Sequence, residues 1–198
     1  MNEEAKRSQD RGNRRFYLPR LSREYYQADA VVHWTLTTFD RARGWLTAEF
    51  HLRFRELLLH SGARQGLLCP IYCLMPDHIH LMWMGLRLET DQINAMAFLR
   101  TYLEPLIAPA KFQPQAQDHV LRAEQRKRNA FSKICFYIAA NPVRAELVKR
   151  ENDWRFTECV ILGYPKLHPL EFGYWATFWK LYEKLRQPDA GNIKRPPI

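Results

Sequence analysis

Leu67-Leu-Cys-Pro-Ile-Tyr-Cys-Leu-Met75, Pro76-Asp77 and His78-Ile-His-Leu-Met-Trp-Met84 read as two apolar strands on either side of a Pro-Asp turn or kink. Gly66 precedes the first run and Gly85 follows the second. His78 and His80 stand two apart, so on a strand both imidazoles leave the same face while Ile79 and Leu81 point into the core. Two neighbouring imidazoles with apolar backing suit a divalent metal. Two surface or hydrogen-bonded histidines fit the same spacing. Alternation points Asp77 away from His78, which makes it a turn residue.

Working outward, Ala30 to Phe39 is β-branched and aromatic and predicts a strand, with ordered structure beginning at Ala30. Trp45, Phe50, Phe54, Leu57 and Leu58 approximate helical spacing over Trp45 to Leu59. Asp91 to Ile107 repeats the helical pattern, with Pro105 expected to kink or end it. Ala108 to Asp118 is a Pro/Gln loop before a short edge strand at His119-Val120-Leu121, and a basic helix follows around Glu124 to Arg128. Trp154 to Leu162 predicts a further strand and Phe172 to Leu185 a terminal aromatic helix. Strands and helices without regular βαβ alternation indicate an α+β fold with a largely antiparallel sheet and helices packed on it.

The chain has 198 residues, 46% of them hydrophobic and 13% aromatic, enough for a packed core. No apolar run reaches the length of a bilayer span, and the first residues are not signal-like. Three segments are expected: a basic N-terminal arm over 1–25, one domain over 26–186 and a Pro-rich tail over 187–198. Lys+Arg total 30 against 21 Asp+Glu, a net charge of +9 that suits nucleic acid, an anionic surface or plain solubility. Arg14 and Arg15 lie in the arm, beside Arg20 and Arg23, with Phe16 and Tyr17 between them. Cations interleaved with aromatics would suit phosphates and bases. Cys69, Cys73, Cys135 and Cys159 form no CxxC pair and read as buried free thiols; Cys69 and Cys73 could share a strand face.

Phe131, Ile134, Cys135 and Ile138 give the stripe of a half-buried helix. Lys133, Tyr137 and Asn141 are spaced by four and would line another face of it. A tyrosine near a metal and a lysine can act as a nucleophile, because nearby cations favour phenolate; spacing alone favours an ordinary amphipathic-helix tyrosine. Asn141-Pro142 also reads as a helix boundary, with Asn141 as N-cap and Pro142 opening a new helix. Arg126, Lys127, Arg128 and Lys133 precede the tyrosine and are candidate phosphate contacts or a solvated helix face.

Taken in order, Met75-Pro-Asp-His-Ile-His80, Asp118-His-Val-Leu-Arg122 and Tyr137-Ile-Ala-Ala-Asn-Pro-Val-Arg-Ala145 resemble the single-tyrosine HUH transposases, in particular the REP-associated tyrosine transposases. The resemblance spans about Ala30 to Val148. It implies a ferredoxin-like or palm-like HUH domain, with a Mg²⁺ or Mn²⁺ ion on His78, His80 and Asn141. Tyr137 would attack single-stranded DNA that folds into REP-like hairpins, leaving a 5′-phosphotyrosine and a free 3′-hydroxyl. Arg122 and Arg144, within the matching segments, join the candidate DNA contacts. His119 is a candidate satellite ligand, DNA contact or structural residue. Where the family commonly carries Gly, this chain has Glu146. The resemblance places the protein in the bacterial cytoplasm at the nucleoid, and leaves homodimer or monomer open. A DNA-binding protein that recognises such hairpins without transposing them is the alternative.

Overall fold

The computed structural model describes residues 19–122 and 129–187. In chain order the regular elements are β1 (Val31–Thr37), α1 (Ala48–Gln65), β2 (Leu67–Met75), β3 (His78–Gly85), α2 (Gln92–Leu103), β4 (Gln117–Val120), α3 (Ala130–Arg144), β5 (Thr157–Val160) and α4 (Tyr174–Leu185). The strands form an antiparallel sheet in the order β4-β1-β3-β2-β5. Its β1-α1-β2-β3-α2-β4 portion is the ferredoxin-like arrangement, and β5 extends the sheet beyond β2. The α+β fold expected from the sequence is the one observed.

Alternation along the strands divides the core in two. Val32, Trp34 and Leu36 of β1 and Ile79, Leu81 and Trp83 of β3 pack on the first face beneath Phe50, Phe54 and Leu58 of α1 and Met96 and Leu99 of α2. On the second face, Val31, Met82 and Met84 lie beneath Phe131, Cys135 and Ile138 of α3 and Tyr174 and Phe178 of α4. Burying a large apolar side chain contributes about 1.5–3 kcal/mol, so each face is a substantial source of stability. The indole of Trp34 donates to Gln92 Oε1 (3.0 Å), whose amide donates to the Ala30 carbonyl (2.8 Å), so the polar atoms of this pair are satisfied inside the first core.

Local chemistry explains the element ends. Thr47 Oγ1 accepts the Phe50 N–H at 3.1 Å and caps α1, while Gly66 ends it in the left-handed region (φ 63°). The helix starts later and runs longer than its apolar residues suggested, because Gly62 is accommodated within it. Asp91 caps α2 through the Asn94 N–H (3.0 Å), and Pro105 turns its end into the 3₁₀ segment Glu104–Ile107. Gly85 is required sterically: a Cβ there would stand 1.6 Å from the Ala28 carbonyl oxygen.

Three expectations need correction. Pro70 sits at a register shift between Leu68 and Ile71, so Cys69 belongs to the first core and Cys73 to the second. A proline cannot donate to the ladder and is accommodated at such a bulge; its carbonyl accepts the Tyr174 hydroxyl at 2.5 Å. Asn141 is no N-cap, since α3 continues through Pro142 to Arg144. So near the helix end, proline forfeits one main-chain bond, and the Asn141 amide donates to the Tyr137 carbonyl at 2.8 Å. Ordered structure also begins before Ala30. The 3₁₀ turn Arg23–Tyr26 buries Tyr25 and Tyr26, Arg20 reaches Asp118 (3.2 Å), and Arg23 reaches Asp91 and Asn94 (both 2.7 Å). These polar residues are held by partners distant in sequence, which no local pattern reveals. All four cysteines are free and buried. Among the described residues no helix is long and apolar enough to cross a membrane.

Candidate active site

The second face of the sheet changes character along its length. At one end Val31, Met82 and Met84 are sealed by helices; at the other, β1 presents Thr37 and Thr35 beside His78 and His80 of β3. The tight connection at Pro76-Asp77 starts β3 with His78 on this face.

The two imidazoles converge. His78 Nε2 and His80 Nε2 lie 3.1 Å apart. Two nitrogens each about 2.1 Å from one ion, at roughly a right angle, would stand about 3 Å apart, so the pair fits one divalent ion. The outer nitrogens are also held. His78 Nδ1 lies 2.6 Å from Asp77 Oδ1, and His80 Nδ1 lies 3.1 Å from both Thr35 Oγ1 and His33 Nε2. Such partners fix ring orientation and tautomer, leaving the inner nitrogens free to coordinate. Asp77 thus supports His78 despite the alternation argument, because it belongs to the turn rather than to the strand.

Electrostatics favour neutral imidazoles here. Burial, reinforced by the charges of His33, His78, Arg41 and Arg144, pushes His80 down to about 2. Burial and His119 push His33 down to about 4. Burial alone would raise Asp77, but its hydrogen bond to His78 and the charges of His78, Arg41 and Arg43 hold it below the usual carboxylate range.

Tyr137 comes to this end of the sheet on α3. The helix buries Phe131, Cys135 and Ile138, and Tyr137 falls just off that stripe, 42% exposed. Its ring stands edge-on to His80, centroids 5.7 Å apart at 77°, and to His33 at 6.3 Å and 68°. The Arg144 guanidinium lies over the ring, 4.7 Å from its centroid. Asn141 is buried one turn further on; with Nδ2 donating to the Tyr137 carbonyl, its Oδ1 keeps its acceptor capacity. Among the described residues no group of three His, Cys, Asp or Glu is arranged to hold a metal.

The structure therefore gathers His78, His80, Tyr137 and Arg144 at one place, with Asn141 bonded to the tyrosine backbone. Lys133 is exposed one turn before Tyr137. Arg122 is set apart: it follows Leu121, which bonds to Val31 at the opposite end of the sheet. Six residues of strand separate Val31 from Thr37, or roughly 20 Å. His119 pairs with His33 across β4 and β1 and is exposed. Arg14, Arg15, Arg126, Lys127 and Arg128 lie outside the described residues, as does the basic helix expected around Glu124 to Arg128.

Sequence reading missed His33, Thr35 and Arg41. The signal for the first two was present, since His33, Thr35 and Thr37 alternate with Val32, Trp34 and Leu36. That β1 would lie beside β3 was not visible.

No protein-family model matches the chain, and no curated protein matches it. Among solved structures, one of a REP-associated tyrosine transposase bound to a REP hairpin is similar at a TM-score of 0.58 and 20% identity. The match covers 71% of this chain and 82% of that one. At that identity the likeness establishes a shared fold.

Proposed function

We propose that the chain is a metal-dependent single-stranded DNA endonuclease and strand transferase, acting as a transposase on hairpin-forming, REP-like DNA. The observation that carries this reading is the half-exposed Tyr137 ring placed edge-on to His80, next to two convergent imidazole nitrogens. Edge-on to His80 and beneath the Arg144 guanidinium, Tyr137 stands where a nucleophile beside a metal-held phosphate would be needed. The fold shared with a hairpin-bound tyrosine transposase is consistent with the reading.

His78 and His80 would hold the ion, with Asn141 Oδ1 or water completing its ligands. A bound Mg²⁺ or Mn²⁺ would offset charge on the non-bridging phosphate oxygens. Tyr137 Oη attacks the phosphorus in line and loses its proton. The bond to the 3′-oxygen breaks, and that oxygen leaves as a 3′-hydroxyl once protonated. The 5′-phosphotyrosine that forms keeps the energy of the cleaved bond, so a later 3′-hydroxyl can rejoin the strand. Arg144 and Lys133 flank the tyrosine and would orient it and the neighbouring phosphates.

The test is a covalent protein–DNA adduct with a labelled hairpin oligonucleotide in Mn²⁺ or Mg²⁺. Adduct is expected with the native protein and none with Tyr137→Phe. Undiminished adduct in that variant would remove Tyr137 from the mechanism. Tight hairpin binding with no adduct under any metal condition would instead favour a DNA-binding protein that does not transpose.

A further inference from the structure

The turn between β1 and α1 is tied to the histidine site through Thr38. Thr38 is fully buried; its N–H donates to the Asp77 carbonyl (3.1 Å), and its hydroxyl lies within donating distance of the carbonyls of Asp77 (2.8 Å) and Ala42 (2.9 Å). The Phe39 N–H donates to the Lys111 carbonyl at 2.7 Å, and the Trp45 indole donates to the Ala42 carbonyl at 3.2 Å. Held in this way, Asp40 and Arg41 both adopt the left-handed region, at φ 51° and 55°. Two successive non-glycine residues there are uncommon, and for a long side chain the conformation is strained.

The turn presents two guanidinium groups at the rim of the site. Arg41 Nη1 lies 3.5 Å from Asp77 Oδ2, with the arginine side chain 62% exposed and the aspartate 14%. Arg43 is exposed as well. A single long contact occupies little of the five-donor guanidinium fork, and an ion pair this exposed adds little stability. A strained turn that presents two exposed guanidinium groups beside a site points to a role for those groups. Asp77 is also the residue 2.6 Å from His78, so Arg41 is separated from the imidazole pair by one carboxylate. Lys133 and Arg144 stand on the tyrosine side of the same site. Cations thus border it from two separate elements, as a track for a polyanionic strand requires.

The geometry points to the Thr38–Arg43 turn as a phosphate clamp: Arg41 and Arg43 hold the backbone of the single-stranded segment that continues from the scissile phosphate on the histidine side. This inference rests on the strand-transferase reading. It adds a binding element in the β1–α1 turn that the attack itself does not use.

The experiment uses full-length Tyr137→Phe, chosen to prevent cleavage during binding, and the same protein carrying Arg41→Gln and Arg43→Gln. Fluorescence anisotropy is read for a hairpin with a single-stranded extension and for the hairpin alone, across a salt series. The arginine variant should lose about tenfold in affinity for the extended DNA. Its slope of log K against log salt should become shallower by about 0.7 per lost contact, with the bare hairpin unaffected. Arg41→Lys with Arg43→Lys should restore most of the slope, which a purely structural role for the turn would not predict. Arg43→Gln alone, outside the left-handed pair, repeats the test should the double variant fail to melt cooperatively. Unchanged affinity and slope, or an equal loss on both DNAs, would overturn the clamp while leaving adduct formation by the native protein intact. Absence of that adduct would remove the strand-transferase reading itself.

Discussion

The two faces of the sheet are made by the same strands under the same alternation, and they serve different ends. The first face is apolar along β1 and β3, with Trp34, Leu36, Ile79, Leu81 and Trp83 sealed under α1 and α2. Its buried histidine, His51, is satisfied by the Tyr72 hydroxyl at 2.7 Å. The second face is apolar for half its length and then gives way to His33, Thr35, His78 and His80, with Tyr137 overhead. The sealed core and the polar candidate site are therefore neighbours in sequence, separated only by strand parity. A helix that packs on the apolar half with its first turns carries Tyr137 over the polar half with its later ones.

The sharpest way to separate the faces is to compare one residue from each. His80→Ala should abolish adduct formation and metal-induced thermal stabilisation while the protein stays folded. Trp83→Ala, three residues on and facing the other way, should destabilise by about 3–5 kcal/mol in chemical denaturation. If instead His80→Ala unfolded the chain and Trp83→Ala left stability unchanged, the division between the faces would be wrong.

Milder substitutions test the support around the pair. Thr35→Val and His33→Ala should each weaken Mn²⁺ affinity, measured by calorimetry, by roughly 10–100-fold with little change in melting temperature. An unchanged affinity would show that His80 needs no partner on β1.

Acid should act on both faces. His33 and His51 are held at about 4 by burial, with His119 adding to the first and Arg55 and Arg155 to the second. Between the ordinary histidine value near 6.5 and about 4, the unfolded chain binds more protons than the folded one, so stability falls as pH falls. The expected loss between pH 7 and pH 5 is roughly 1–2 kcal/mol per histidine. His51→Gln should flatten that dependence in denaturant titrations without altering Mn²⁺ affinity, since His78 and His80 lie on the opposite face. A slope unaffected by the substitution would remove His51 from the acid response.

The smallest effect concerns the end of α3. Glu146 sits at φ 56°, and the adjacent N–H groups of Glu146 and Leu147 bond to the carbonyls of Val143 and Pro142. A side chain in the left-handed region costs about 1 kcal/mol, so Glu146→Gly should stabilise by about that amount. No gain in the denaturation midpoint would mean that Glu146 makes a compensating interaction. The left-handed backbone gives glycine a conformational advantage at this position, and Glu146 bears on the helix end rather than on the histidine pair or Tyr137.

Much of this was legible without coordinates because it is local. The β2–turn–β3 hairpin, the parity that puts His78 and His80 on one face, and the stripe that turns Tyr137 off the core side of α3 all follow from periodicities of two and 3.6. Other features depended on residues far apart in sequence. The neighbourhood of β1 and β3 brought His33 and Thr35 to His80; the packing of residues 20–26 tied Arg20 and Arg23 to Asp118 and Asp91. Sheet order placed Arg122 at the far end, and the bonds of Thr38 to Asp77 brought Arg41 to the site. A side chain's direction is set within a few residues by backbone geometry. Its neighbours across a sheet are chosen by the packing of the whole chain, which buries apolar faces and pairs backbone groups together. The sequence alone therefore determined the chemistry on offer, two histidines and a tyrosine at suitable spacings, and only the tertiary structure decided what supports and surrounds them.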